Sequence, residues 1–121
     1  MKYYQSELRD KTVLYVLDQV IAAHQIPRTL YSLDGYAEDR VCLEKKAGEW
    51  CVYTGIRGRM CEEESYDSVV EACQRMIEKI TDDYEEEQSM KLSFSGELQK
   101  FLHPQNFDAI DAGKASIPKI V

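Results

Sequence analysis

Long apolar runs are missing from this sequence. Nowhere do apolar residues approach the ~18 in a row that cross a bilayer, so no membrane span is expected. The opening "MKYYQSELRD" has no apolar core of a secretion signal, which predicts a cytoplasmic protein. In that compartment the four cysteines, Cys42, Cys51, Cys61 and Cys73, are expected as reduced thiols.

Catalytic vocabulary is just as thin. There are two histidines in 121 residues. His24 falls on an apolar helical stripe and reads as a packed residue, and His103 stands before Pro104 with no partner fixed by sequence. No GxGxxG, phosphate-binding GxxxxGK[ST], HExxH or GxSxG pattern occurs. The cysteine gaps of eight, nine and eleven residues match no CxxC metal knuckle. "EEES" and "TDDYEEE" lack the spaced oxygens around a glycine that hold calcium. No catalytic residue, cofactor or metal is therefore expected.

Positive charge is scarce. Fifteen Lys and Arg face 22 Asp and Glu, a net charge of −7. Binding to a phosphate backbone needs clustered cations, so nucleic acid is not an expected partner. The length suits one domain with one core, residues 1–121, with a tail from about 105 that has little periodicity.

The remaining pattern is α+β. Leu14, Leu17, Ile21 and His24 make a helical stripe within about Ser6–Gln25, widened by Val13, Val16 and Val20. Ser6 or Asp10 is placed to cap its start, and Pro27 ends it. Three strand patterns follow: Thr29–Leu33 or, more strongly, Arg40–Glu44, then Glu49–Thr54 and Gly58–Glu63, with hairpin loops at "KKAG" and "TGIRG". A four-residue loop at 45–48 sets Leu43 opposite Trp50, Val41 opposite Val52 and Cys42 opposite Cys51. That register gives one apolar and one mixed face, and the cysteine pair would bridge only on oxidation. A second helix is expected over Tyr66–Tyr84, capped by Ser65, with Val69, Cys73, Met76, Ile77, Ile80 and Tyr84 on its stripe. "EEEQSMKLS" reads as loop and Glu97–Leu102 as a short helix. The expected fold is a two-layer α+β domain. It has an N-terminal helix, a three- to four-stranded antiparallel sheet, a second helix and a short C-terminal helical segment. Helix, three strands, helix is also the order of a double-stranded-RNA-binding domain, but the second helix here is the most acidic part of the chain.

The acidity is local. Residues 62–87 hold eleven carboxylates against Arg75 and Lys79 alone. Helix capping accounts for acids before a helix, but Asp82 to Glu87 would sit at the wrong end of the second helix. A surface matched to a basic protein explains both clusters. Its candidate residues are Glu62, Glu63, Glu64, Asp67, Glu71, Asp82, Asp83, Glu85, Glu86 and Glu87, with Tyr53, Tyr66 and Tyr84 as aromatic anchors.

"IPRTLYSLDG", "CLE", "WCVYTGIRG" and "YDSVVEACQRMI" together resemble small bacterial immunity proteins of polymorphic-toxin and contact-dependent growth-inhibition systems. The matching positions are Tyr31, Leu33, Gly35, Trp50, Val52, Tyr53, Arg57, Gly58, Tyr66 and Ala72, within Ile26 to Ile80. Members often carry Glu before the Arg-Gly pair, where this chain has Ile56. The resemblance implies a non-enzymatic inhibitor of one cognate toxin domain, such as a basic nuclease. Two other readings remain: a generic protein-binding module, and a small thiol-dependent regulatory enzyme built on Cys42, Cys51 or His103.

Overall fold

The apolar stripe of the first helix is the one that buries. In the computed structural model, which describes residues 2–101, helix α1 spans Lys2–Ala23 and buries Val13, Val16, Leu17, Val20 and Ile21. Its end is a Schellman turn. Gln25 sits in the left-handed region (φ 62°), and the N–H groups of Gln25 and Ile26 donate to the carbonyls of Ala22 and Ile21. Pro27 then carries the chain away, followed by a 3-10 turn at Arg28–Leu30.

Four strands follow: β1 Tyr31–Ser32, β2 Val41–Lys46, β3 Glu49–Ile56 and β4 Arg59–Tyr66. They lie in the order β1-β2-β3-β4. The sheet is mixed rather than strictly antiparallel, because two-residue β1 runs parallel to β2. The β2–β3 and β3–β4 pairs are antiparallel.

The β2–β3 register differs from the expected one by two residues. Leu43 lies opposite Val52, Lys45 opposite Trp50 and Cys42 opposite Tyr53, so Cys42 and Cys51 are not directly paired. The cause is the turn. Ala47 and Gly48 both take positive φ, which closes the hairpin in two residues instead of four. A shift of two preserves the faces. Leu43, Trp50 and Val52 join the main core, while Cys42, Cys51 and Tyr53 form a small second core on the other side.

Among the described residues the α-helices number three, not two and a fragment. Helix α2 spans Val69–Ile80 and α3 spans Tyr84–Phe101. α2 begins later than expected because β4 continues through Tyr66, which pairs with Trp50. Its cap is Ser68, whose hydroxyl accepts from the N–H groups of Val70 and Glu71, while Ser65 stays in β4 opposite Cys51. It ends before Tyr84, at an extended Thr81 whose hydroxyl donates to the Ile77 carbonyl. The expected loop "EEEQSMKLS" is the first half of α3, which buries Met90, Phe94 and Leu98. His103, Leu102 and the tail from 105 lie outside the described residues.

α2 lies closest to β2 and β3, and α1 and α3 pack beside it. The core between them takes Val13, Leu17 and Ile21 from α1, Cys73, Met76 and Ile77 from α2, and Met90 and Phe94 from α3. Each large apolar side chain buried there contributes about 1.5–3 kcal/mol by removal from water. Across the sheet, the segment from Asp34 to Arg40 folds over the second core. Tyr36 stacks on Tyr53 with ring centroids 6.3 Å apart. The approach is close enough that a Cβ on Gly55 would overlap the Ala37 carbonyl oxygen and the Tyr36 ring. No helix among the described residues is long and apolar enough to cross a membrane.

Candidate protein-interaction surface

Glu62 and Glu63 lie in a strand, as the pattern over Gly58–Glu63 predicts; the strand runs on through Glu64 to Tyr66, and a bulge parts the three glutamates. Val52 pairs with Glu64 and Thr54 with Cys61, so Glu62 and Glu63 together face Tyr53. Glu62 takes the positive φ (56°) that this extra residue requires. The bulge turns the side chains to different partners. Glu63 reaches Lys46 at 3.4 Å, in the company of Met60. Glu62 lies 3.7 Å from Lys79 of α2. Glu64 holds Arg75 of α2 in a fork, at 2.7 Å to Nε and 3.2 Å to Nη2.

That fork starts a ladder across three elements. Tyr66 donates its hydroxyl to Glu64, and Arg75 also donates to Glu78 at 3.0 Å. Lys91 of α3 then bridges Glu78 at 2.7 Å and Glu87 at 3.0 Å. Each carboxylate sits in the field of a cation it accepts from. Arg75 holds the Glu64 carboxyl below its usual range, and Lys91, then Arg75, do the same for Glu78. The Lys91 ammonium is raised in return by Glu78 and Glu87. Burial and the neighbouring Glu64 raise the Tyr66 phenol.

The second acidic cluster also has a local cause. Asp82 and Asp83 stand between α2 and α3, and Glu85 to Glu87 fill the first turn of α3, where the dipole favours negative charge. Asp83 accepts from the Glu86 N–H at 2.8 Å, and Glu86 reaches back to the Asp82 N–H at 3.2 Å, a reciprocal cap. Helix stability therefore explains Asp83 and Glu86, contrary to the expectation from a long second helix.

Four of the ten candidate acids remain without such work. Asp67, Glu71, Asp82 and Glu85 are exposed, and their side chains make no hydrogen bond or ion pair with described residues. Asp67 and Glu71 lie at the start of α2, and Asp82 and Glu85 at the α2–α3 corner. The aromatic candidates divide too. Tyr53 is fully buried, its hydroxyl donated to Glu44, so it is a core residue rather than an anchor. Tyr66 is half-buried against the core. Tyr84 is 72% exposed at the acidic corner, and Leu92, further along α3, is 74% exposed. Leu92 was not singled out from sequence; a leucine off the Met90–Phe94–Leu98 stripe was its only signal.

A second polar constellation was also missed. Glu38 caps the β3–β4 turn, accepting from the N–H groups of Arg57 (2.6 Å) and Gly58 (3.1 Å) and from the Tyr36 hydroxyl (2.5 Å). These three donors hold its carboxyl below the usual range. This arrangement rigidifies the Arg57–Gly58 turn.

Burial pushes Cys73 and Cys42 up, away from thiolate, and all four cysteines are free. His24 is half-buried with Nε2 3.5 Å from Ser93 Oγ on α3. No group of three or more His, Cys, Asp or Glu is placed to hold a metal ion among the described residues. No protein-family model, curated protein or solved structure matches the chain.

Proposed function

We propose that this chain is a non-enzymatic immunity protein that binds and neutralises a cognate toxin domain, a basic nuclease, through an acidic surface. The observation that carries the reading is the unpartnered acid at the α2–α3 corner. Asp82 and Glu85 stand in solvent beside an exposed Tyr84, and neither carboxylate makes a hydrogen bond or ion pair with described residues. Exposed like charges held by no cation, next to an exposed aromatic ring, suit a complementary cationic cleft. Asp67 and Glu71 add exposed carboxylates at the other end of α2. The resemblance of Ile26 to Ile80 to immunity proteins supplies the identity of the partner class. The raised thiols of Cys42 and Cys73 weigh against a thiol enzyme.

The test is growth. The C-terminal domain of the protein encoded immediately upstream is expressed with and without this chain. Arrest by that domain, and rescue by this chain, supports the reading. Rescue should fail, or need far more protein, for the triple variant Asp82→Lys, Glu85→Lys, Tyr84→Ala, whose fold should be intact because these side chains are exposed. A harmless upstream domain, or arrest that persists despite soluble expression of this chain, refutes the pairing. Rescue by the triple variant at wild-type level refutes the surface.

A further inference from the structure

At the opposite edge of the sheet from β4, α1 and the segment around β1 enclose an open groove of about 500 Å³. That volume lies within the ~300–1,000 Å³ of small-molecule sites. Its charge runs against the rest of the protein. Lys11 comes from α1, Arg28 from the 3-10 turn and Arg40 from the approach to β2, three separate segments converging on one space. Only Asp18 and Asp34 line it with the opposite sign.

Asp18 is already committed. Its two oxygens accept the Arg28 fork at 2.9 and 3.0 Å, and Oδ1 also accepts the Tyr31 hydroxyl at 2.9 Å. Arg28 and Asp18 therefore cancel. Lys11 and Arg40 make no side-chain hydrogen bond or ion pair with described residues, and together they outweigh Asp34 by one charge. Leu14, Leu33 and Tyr15, which is 55% exposed, line the same space. An apolar lining with two cations against one uncommitted carboxylate recognises an anion carried on a hydrocarbon body.

We infer that this groove is a binding site for a small organic monocarboxylate with an apolar body, its carboxylate held by Lys11 and Arg40 and its body against Leu14, Leu33 and Tyr15. The net charge of one selects a carboxylate over a dianionic phosphate, which Asp34 would repel. The site is independent of the acidic surface and survives failure of the toxin-binding reading.

The experiment is an NMR titration of the full chain at constant ionic strength with sodium benzoate, and with acetate and benzyl alcohol as controls. Benzoate should give saturable shifts at the amides of Lys11, Leu14, Leu33 and Arg40. Acetate lacks the ring and benzyl alcohol lacks the charge, and each should bind about tenfold more weakly or less. Lys11→Gln and Arg40→Gln should each weaken benzoate by about threefold to tenfold, and Asp34→Asn should strengthen it. Lys11 and Asp34 are exposed and Arg40 is half-buried, and none of their side chains bonds to described residues, so these variants should fold; an unchanged amide spectrum away from the groove checks it. Shifts that do not saturate, benzyl alcohol binding as well as benzoate, or benzoate affinity unchanged by Lys11→Gln and Arg40→Gln would each overturn the assignment.

Discussion

Replacing Arg75 with methionine removes the hub of the ladder while keeping an apolar stem in its place. The guanidinium makes a fork to Glu64, at 2.7 and 3.2 Å, and a third bond to Glu78 at 3.0 Å. The side chains of Arg75, Glu64 and Glu78 are each about a third exposed (34%, 37% and 33%), so solvent screens these pairs and their full Coulomb energy is not realised. Exposed ion pairs contribute about 0.2–1 kcal/mol each, and the bidentate geometry puts Glu64 at the upper end, so the loss should be about 1–2 kcal/mol near neutral pH. The pH dependence separates this cause from lost packing. Glu64 and Glu78 have carboxyls held below the ordinary value. Their contribution is fully present above the unfolded-state value of about 4.3 and is lost as pH falls through the lower folded-state value. The gap between wild type and Arg75→Met should therefore close between about pH 7 and about pH 2. Lys91 still serves Glu78 in the variant, so closure reports mainly on Glu64. Urea unfolding followed by the fluorescence of the buried Trp50 measures both gaps. A gap that stays the same at both pH values would refute the electrostatic account and leave packing as the cause. A gap absent near pH 7 would refute the ladder's role in stability altogether.

Three other outcomes follow from the same geometry. Gly55→Ala forces a Cβ into the Ala37 carbonyl oxygen and the Tyr36 ring; it should cost about 1–3 kcal/mol in urea unfolding and broaden the amide signals of residues 36–40. Ser68→Ala removes the acceptor for the Val70 and Glu71 N–H groups and should cost about 1 kcal/mol, while Ser65→Ala, in β4, should cost less. With a thiol reagent under native conditions, half-buried Cys61 should label first, and Cys42, Cys51 and Cys73 only on unfolding; fast labelling of Cys42 or Cys51 would revive a thiol chemistry.

What the sequence made legible was chemistry with a strict period, and what it hid was chemistry that breaks one. Alternation along 41–44 and 49–54 gave the two sheet faces correctly, because each buried residue there repeats every second position. It could not give the register, since "KKAG" admits a four-residue loop as readily as the two-residue turn at Ala47–Gly48. The bulge at Glu62 destroys alternation in β4, so "EEES" looked like the run into a helix. In α3 only Met90, Phe94 and Leu98 bury, a narrow stripe crossed by Ser93, Ser95 and Gly96. The Asp83-x-x-Glu86 spacing was the signal that marked its start. That start puts the second acidic cluster before α3 as well as after α2.

That relocation narrows where binding can be sought. In the ladder, Glu64, Glu78 and Glu87 are bound to Arg75 and Lys91 across β4, α2 and α3. A partner that took these carboxylates would first have to displace cations already held at 2.7–3.0 Å. Reversing Glu62, Glu63 and Glu64 together would thus break pairs with Lys79, Lys46 and Arg75, and a loss of binding would be confounded with a loss of fold. Among the described residues, Asp82 and Glu85 have no such partner to surrender. An incoming cation there gains attraction without breaking an existing pair, and Tyr84 supplies adjacent apolar area. Reversal of Asp82 and Glu85 should accordingly slow association with a basic partner and flatten its salt dependence, while stability in urea falls by no more than the dipole contribution of Glu85, about 0.3–1 kcal/mol. A larger loss would mean the corner serves the fold in another way. An unchanged salt dependence would place the contact elsewhere on the molecule.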